Sequence, residues 1–186
     1  MTSRLVVNSV RHTGASSDAL TLSSDGKVAF PNNTGNILQV VSSIKTDTFS
    51  GTSNTNLIEL TGLSATITAS SSSSKILIHV SLNYCSVSTT YKARIRKDST
   101  DILLGDANGS RTQGTFGMGH THDANQIDVA TFVGVDTAGD TNAHTYKIML
   151  VNDNNVAMYI NRSNNDSNGV VSGRLVSTMT LMEVAA

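Results

Sequence analysis

Ser70-Ser71-Ser72-Ser73-Ser74-Lys75-Ile76-Leu77-Ile78-His79-Val80-Ser81-Leu82-Asn83-Tyr84 is a serine run that gives way to a strict alternation. Ile76, Ile78, Val80, Leu82 and Tyr84 fall on one face, and Lys75, His79, Ser81 and Asn83 on the other. Successive side chains of a strand point to opposite faces, so this period of two predicts a half-buried strand. It reads as a central strand of a β-sandwich. The serines before it read as a turn. Leu77, apolar on the polar side, fits burial against a neighbouring subunit.

Working outward, the same period recurs. Leu38, Val40, Ser42 and Ile44 share a face within 36–48, and Ile127, Val129, Thr131 and Val133 within 126–135. Leu57 to Leu60 and Leu63 to Thr68 read as short strands broken at Gly62, with Phe49 to Asn54 a turn before them. Tyr91-Lys92-Ala93-Arg94-Ile95-Arg96 alternates apolar and basic, and a turn leads to Ile102-Leu103-Leu104. Positions 105–125 are Gly-rich and read as one long loop. Tyr146, Ile148 and Leu150, then Val156, Met158 and Ile160, then Leu175 to Val184 complete the set, with a polar loop over 162–173. About eight strands with frequent turn signals and no helical period predict an all-β chain, an antiparallel β-sandwich or jelly roll.

Ahead of residue 36 the pattern is thinner. Leu5 to Val10 reads as a short strand, and Asp25-Gly26 lies between two alternating segments, a hairpin signal because Gly accepts positive φ without a steric cost. Two strands alone are marginal in water, so this piece is expected to lean on other subunits or a larger particle. The only proline, Pro31, marks the boundary. The organisation expected is an N-terminal hairpin and attachment segment at 1–35 and a sandwich domain at 36–186.

Composition narrows the function classes. Only 4% of the 186 residues are aromatic and Trp is absent, so the core must be aliphatic. Charged residues make up 15%, and Ser, Thr and Asn take their place, which fits an extracellular or virion protein better than a cytosolic enzyme. The net charge of -1 speaks against a nucleic-acid partner, which calls for surplus Lys and Arg. The single cysteine, Cys85, excludes an internal disulfide and reads as a small buried filler. Leu5-Val6-Val7 is too short for the apolar region of a signal peptide, and no segment is long enough to span a membrane. A soluble product made in a host cytoplasm is the expectation.

Several segments together resemble a known family. They are Asn36-Ile37-Leu38-Gln39-Val40-Val41 with Lys45-Thr46-Asp47-Thr48-Phe49-Ser50, then Thr61 to Thr68 running into the serines and Ile76-Leu77-Ile78, then Gly105-Asp106-Ala107-Asn108-Gly109-Ser110-Arg111, then Tyr159-Ile160-Asn161-Arg162-Ser163 with Thr178 to Val184. In this order residues 36–186 resemble the C-terminal domain of tail-fibre-like structural proteins of bacteriophages, cyanophages and marine phages among them. Ala15 to Leu22 with Asp25-Gly26 and Phe30-Pro31 resembles the short repeat that precedes such domains. The resemblance implies a homotrimer, held to other virion proteins by the N-terminal segment, whose distal domain meets the host surface. The chain is shorter than most such fibres, which keeps a capsid decoration or baseplate accessory role as the alternative.

The candidate site residues are few. His120 and His122 would share a face on a strand. Two imidazoles are too few for a structural site, but three copies on a trimer axis would supply six nitrogens to a transition metal; otherwise they are two exposed histidines in a Gly-rich loop. No other cofactor is expected. Lys92, Arg94 and Arg96 form a basic stripe, either a solvated face or a place for anionic polysaccharide. The four tyrosines read as inward-facing core residues. Rigid sandwiches carry binding residues on their loops, so Arg111, Asn164, Asn165 and Asp166 are the expected contacts to a host glycan. The aspartates sit mostly in turns, where Asp is an ordinary turn former. No nucleophile or phosphate-loop motif is present. A non-enzymatic virion protein is expected, with glycan hydrolysis by paired carboxylates the weakest reading.

Overall fold

The computed structural model describes residues 7–22, 24, 28–29, 35–53, 55–152 and 154–186. Every regular element among them is a strand. In chain order they are β1 (Ser9–Val10), β2 (Leu20–Leu22), β3 (Val28–Ala29), β4 (Ile37–Lys45), β5 (Phe49–Thr52), β6 (Ile58–Thr68), β7 (Lys75–Cys85), β8 (Tyr91–Lys97), β9 (Thr100–Ile102), β10 (Phe116–Met118), β11 (Asp128–Thr137), β12 (Ala143–Val151), β13 (Ala157–Ile160) and β14 (Ser177–Val184). All pairings are antiparallel.

Two sheets form the sandwich. One runs β10-β8-β12-β6, with β9 also on β8; the other runs β4-β14-β7, with β11 along the far side of β7 and β13-β5 continuing from its end. β7 is therefore central, as the alternation predicts. Ile76, Ile78, Val80, Leu82 and Tyr84 point into the core and are buried, as are Met179 and Leu181 of β14 and Met158 and Ile160 of β13. They meet Leu60, Leu63, Ala65 and Ile67 of β6, Tyr91, Ala93 and Ile95 of β8, and Tyr146, Ile148 and Leu150 of β12. Each fully buried aliphatic side chain contributes about 1.5–3 kcal/mol of transfer free energy, so the aliphatic core that the composition demands is the main source of stability. Cys85 is buried within it.

Five details depart from or sharpen the sequence expectations. Gly62 does not break a strand: β6 runs through it with a register shift against β12, and φ of 81° at Gly62 supplies the bulge. Residues 49–54 are not a simple turn, because Phe49 to Thr52 pairs with β13. The Gly-rich stretch 105–125 contains β10, paired with β8. Conversely Leu103, at φ 53°, ends the β9 strand at Ile102. The alternating residues of β4 and β11 face outward: Val40, Ile44, Val129 and Val133 are each more than half exposed. Gln39, Val41, Ser43 and Lys45 take the inward positions of β4.

β1, β2 and β3 make a separate three-stranded sheet, in which β2 and β3 pair as the Asp25-Gly26 hairpin requires; the turn itself, Leu5, Val6 and Pro31 lie outside the described residues.

Candidate functional site

Register fixes the two ends of the sandwich. Lys75, Thr137, Val184 and Ile37 line up at one end, where Gly35 and Asn36 bond to Ala185. Cys85, Tyr84, Asp128, Tyr159 and Ile160 meet at the other. Ten residues of β7 separate them, about 33 Å at ~3.3 Å per residue. The chain enters the domain at the first end. The loops over 119–127 and 161–176 stand at the second.

These two loops are built on β7. Thr121, fully buried, donates its N–H to Ser86 O at 2.8 Å and accepts the Ser86 N–H on its hydroxyl at 3.1 Å. Asn161 is the other anchor. Its Nδ2 donates to Lys45 O and Asp47 O at 2.8 and 3.0 Å, its Oδ1 accepts from Ser177 at 2.6 Å, and its N–H donates to Asn83 O. The φ of 63° at Asn161 turns the chain out of β13 into the loop. Asn tolerates that region better than most residues.

The loop beyond it is drawn closed. Arg162 and Arg174 form an isolated antiparallel bridge, and Asp166 pairs with both guanidinium groups. The hydrogen bond from Arg174, with that from Arg162 added, holds the Asp166 carboxyl below its usual range against the opposing effect of burial. Ser172 donates to Asn165 O at 2.7 Å and shares a hydrogen bond with Ser167 at 3.0 Å. Asn165 ties this loop to the other one, through its N–H on Ala124 O and its Nδ2 on Asn125 Oδ1. Asp166, Ser167, Asn168, Gly169, Ser172 and Arg174 line an open pocket of about 310 Å³. At the tip Val170 and Val171 are exposed.

Among the predicted contacts, Asn165 and Asp166 thus belong to one built loop cluster, and Asn164 lies half-buried between Ser163 and Asn165. Arg111 does not join them. It bonds to Asn108 within its own loop, which leaves the sheet sideways between β9 and β10. Arg162, Ser167 and Ser172 lie within the polar loop that the sequence marks out, without being singled out there, and Arg174 lies just beyond it. Tyr159, expected in the core, is only half-buried and carries the Arg162 guanidinium 4.4 Å from its ring centre.

His120 and His122 are exposed with their rings edge to face, centroids 5.3 Å apart. His120 Nε2 donates to Val87 O, which leaves Nδ1 as the acceptor of that ring. Among the described residues no group of three or more His, Cys, Asp or Glu could hold a metal within the chain. The basic stripe is also occupied: Arg94 and Arg96 both pair with Asp101, at 2.9 and 2.6 Å. Other carboxylates are bound to cations in the same way, Asp136 to Lys97 and Asp98 and Asp140 to His144. Among the described residues no helix is long and apolar enough to cross a membrane.

No protein-family model matches the chain, and no curated protein matches it. Three solved structures to which it is similar come from infectious bursal disease virus: the Gx strain (16% identity, TM-score 0.42), the Gt strain (13%, 0.41) and the VP2 subviral particle (14%, 0.43). Each match covers 96% of this chain, and the chain spans 42 to 43% of those proteins.

Proposed function

We propose that the chain is a virion structural subunit of the tail-fibre-like kind, a homotrimer that adsorbs to a glycan on the host cell surface through its loop end. The observation that carries this reading is the separation of the two ends. The N-terminal segment, which would join other virion proteins, enters beside Ala185, and the pocket at Asp166 and Arg174 belongs to the loop at the other end of β7, a strand about 33 Å long. Its lining of carboxylate, guanidinium, amide and hydroxyl groups matches the hydroxyls of a sugar. Each pocket alone binds weakly. Several copies on one particle convert modest affinity into stable attachment.

The test is capture of host-surface polysaccharide by the purified protein, and competition by that protein against phage adsorption. The wild type binds and competes; the Arg174→Ala, Asp166→Asn double variant, with both substitutions on an exposed loop, loses at least tenfold in capture. Binding that survives in the double variant would remove the pocket from the mechanism. A wild type that neither binds nor competes at saturation would leave the capsid decoration or baseplate accessory role.

A further inference from the structure

The outer faces of the two sheets differ in kind. On the β10-β8-β12-β6 sheet the outward residues pair by charge: Lys147 with Glu59 at 2.8 Å, and Arg94 and Arg96 with Asp101. Thr66 and Thr145 share a hydrogen bond beside them. That face is finished for water. The outer face of β11-β7-β14-β4 is not. Its cross-strand rows follow from register. Val135, Leu77, Met182 and Val40 form one. Val133, His79, Thr180 and Ser42 form the next, and Thr131, Ser81, Thr178 and Ile44 a third. Val129 extends the face beside Asn83, and Ile37 and Val184 close it beside Lys75.

Val40, Ile44, Val129 and Val133 are 56, 61, 58 and 62% exposed. Among the described residues in these rows no carboxylate occurs, and Lys75 at the edge and His79 at the centre are the titratable groups. β-branched side chains on a flat sheet expose much apolar surface for little entropy on burial. An apolar patch of this extent marks an interaction site on a soluble protein.

We infer that this face is where a second copy of the chain docks, sheet against sheet. Two features select a copy of itself over another partner. The face carries no acid and one lysine, Lys75 at its edge, so a partner chosen by charge finds little to answer it, whereas two such faces meet without a buried ion pair to satisfy. Its size also suits: eight steps along β7 and four strands give roughly 26 by 19 Å, or about 500 Å². Two apposed copies bury about 1,000 Å² before side-chain relief is counted, which is the threshold for a specific interface. The first row is wholly apolar and the next two are mostly Ser and Thr, of which Ser42 and Thr180, bonded to each other at 3.1 Å, enter the contact satisfied. Docked face to face, two copies close a two-fold pair, so this contact is separate from the three-fold assembly proposed above and does not rest on that reading.

The experiment is native mass measurement of the full-length protein at high micromolar concentration, beside Val133→Lys and Val40→Lys. Both positions are solvent-exposed in the single chain, so each variant is expected to fold, with a β circular-dichroism spectrum like the wild type's. The wild type is paired and both variants halve in mass. Ser64→Lys on the opposite sheet stays oligomeric. Hydroxyl-radical footprinting of the wild type shows Val40 and Val133 protected relative to Val170. A monomeric wild type overturns the inference. So does an oligomer that survives both lysine substitutions with Val40 and Val133 open to the radical. Binding of a short, monovalent host-surface oligosaccharide by the variants needs no avidity and reports on the pocket separately, so failure of one reading leaves the other readable.

Discussion

The carboxylate of Glu183 accepts both the backbone N–H and the hydroxyl of Ser70, the N–H at 2.7 Å. Its other oxygen accepts Gln39 Nε2 at 2.6 Å, and Glu183 is fully buried. The last strand thereby grips the serine run that opens the central one, and the turn has a fixed shape because of a residue 113 positions away. Burial alone would raise this carboxyl; the hydrogen bonds from Gln39 and Ser70 outweigh it and hold the group below its usual value. A depressed folded-state value stabilises above the unfolded pKa and is lost as pH falls through the folded one. Glu183→Ala leaves buried donors unanswered and costs about 1–3 kcal/mol. In a chain of this size that lowers the melting temperature by ~2–4 °C per kcal/mol. Scanning calorimetry near neutral pH checks it, and a variant that also kept the wild-type acid limb would show that Ser70 is held by something else.

Asn161 is asked to do two things at once: to adopt positive φ and to bond Lys45 O, Asp47 O and the Ser177 hydroxyl. Asn161→Gly keeps the backbone and drops the bonds; Asn161→Ala drops both. Alanine is expected to be the worse, by about 1 kcal/mol of backbone strain. Both lose a further 1–3 kcal/mol for stranded buried partners. Urea denaturation gives the order. Because Asn161 leads directly into the pocket loop, each variant also weakens glycan capture. Equal stability of glycine and alanine would mean that φ is not the constraint.

His144 is clamped between two carboxylates, with Nδ1 2.7 Å from Asp98 Oδ2 and Nε2 2.9 Å from Asp140 Oδ1. Both ring nitrogens donate only in the imidazolium. The hydrogen bond to Asp98 first, and that to Asp140 after it, raise the His144 pKa against the effect of burial. A raised value gives stability that is complete below the unfolded pKa and lost as pH rises through the folded one. The melting temperature is expected to fall by a few degrees from about pH 6 to about pH 9, around the ordinary histidine range. His144→Gln flattens that slope. An unchanged slope in the variant would assign the loss to other groups.

How legible this was depends on what each signal measures. β7, β8, β12 and β14 were readable because burial on one face imposes the period of two. β5 and β10 were not: each is short and glycine-bearing, Gly51 and Gly117, and each exists because a neighbouring strand offers a free edge. Gly62 looked like a break since a sequence shows the missing side chain but not the bulge it permits. The alternation in β4 and β11 located strands without giving their sense, and apolar residues ended outside. The loop residues Asn165 and Asp166 were chosen for their polarity alone. The arginine partners of Asp166 lie at the two ends of the loop and meet only once β13 and the segment before β14 run side by side.

Lys45 is a lysine buried on the inward side of β4. Its side chain is 1% exposed, yet its ammonium meets Asp47 Oδ2 at 2.8 Å, and the Asp47 side chain is 75% exposed. Gly62 makes room: a methyl there would stand 3.0 Å from the Lys45 nitrogen. A buried charge is costly when it loses its partner, while replacing it by an apolar chain of similar length is tolerated. Asp47→Ala therefore lowers the urea midpoint, whereas Lys45→Met holds or raises it. The double variant follows Lys45→Met, because removing the ammonium also removes the reason for the aspartate, a non-additivity that a double-mutant cycle measures directly. If Asp47→Ala unfolds at the wild-type midpoint, water reaches the ammonium and solvates it, and the pair is not what permits a lysine on the inward face of β4.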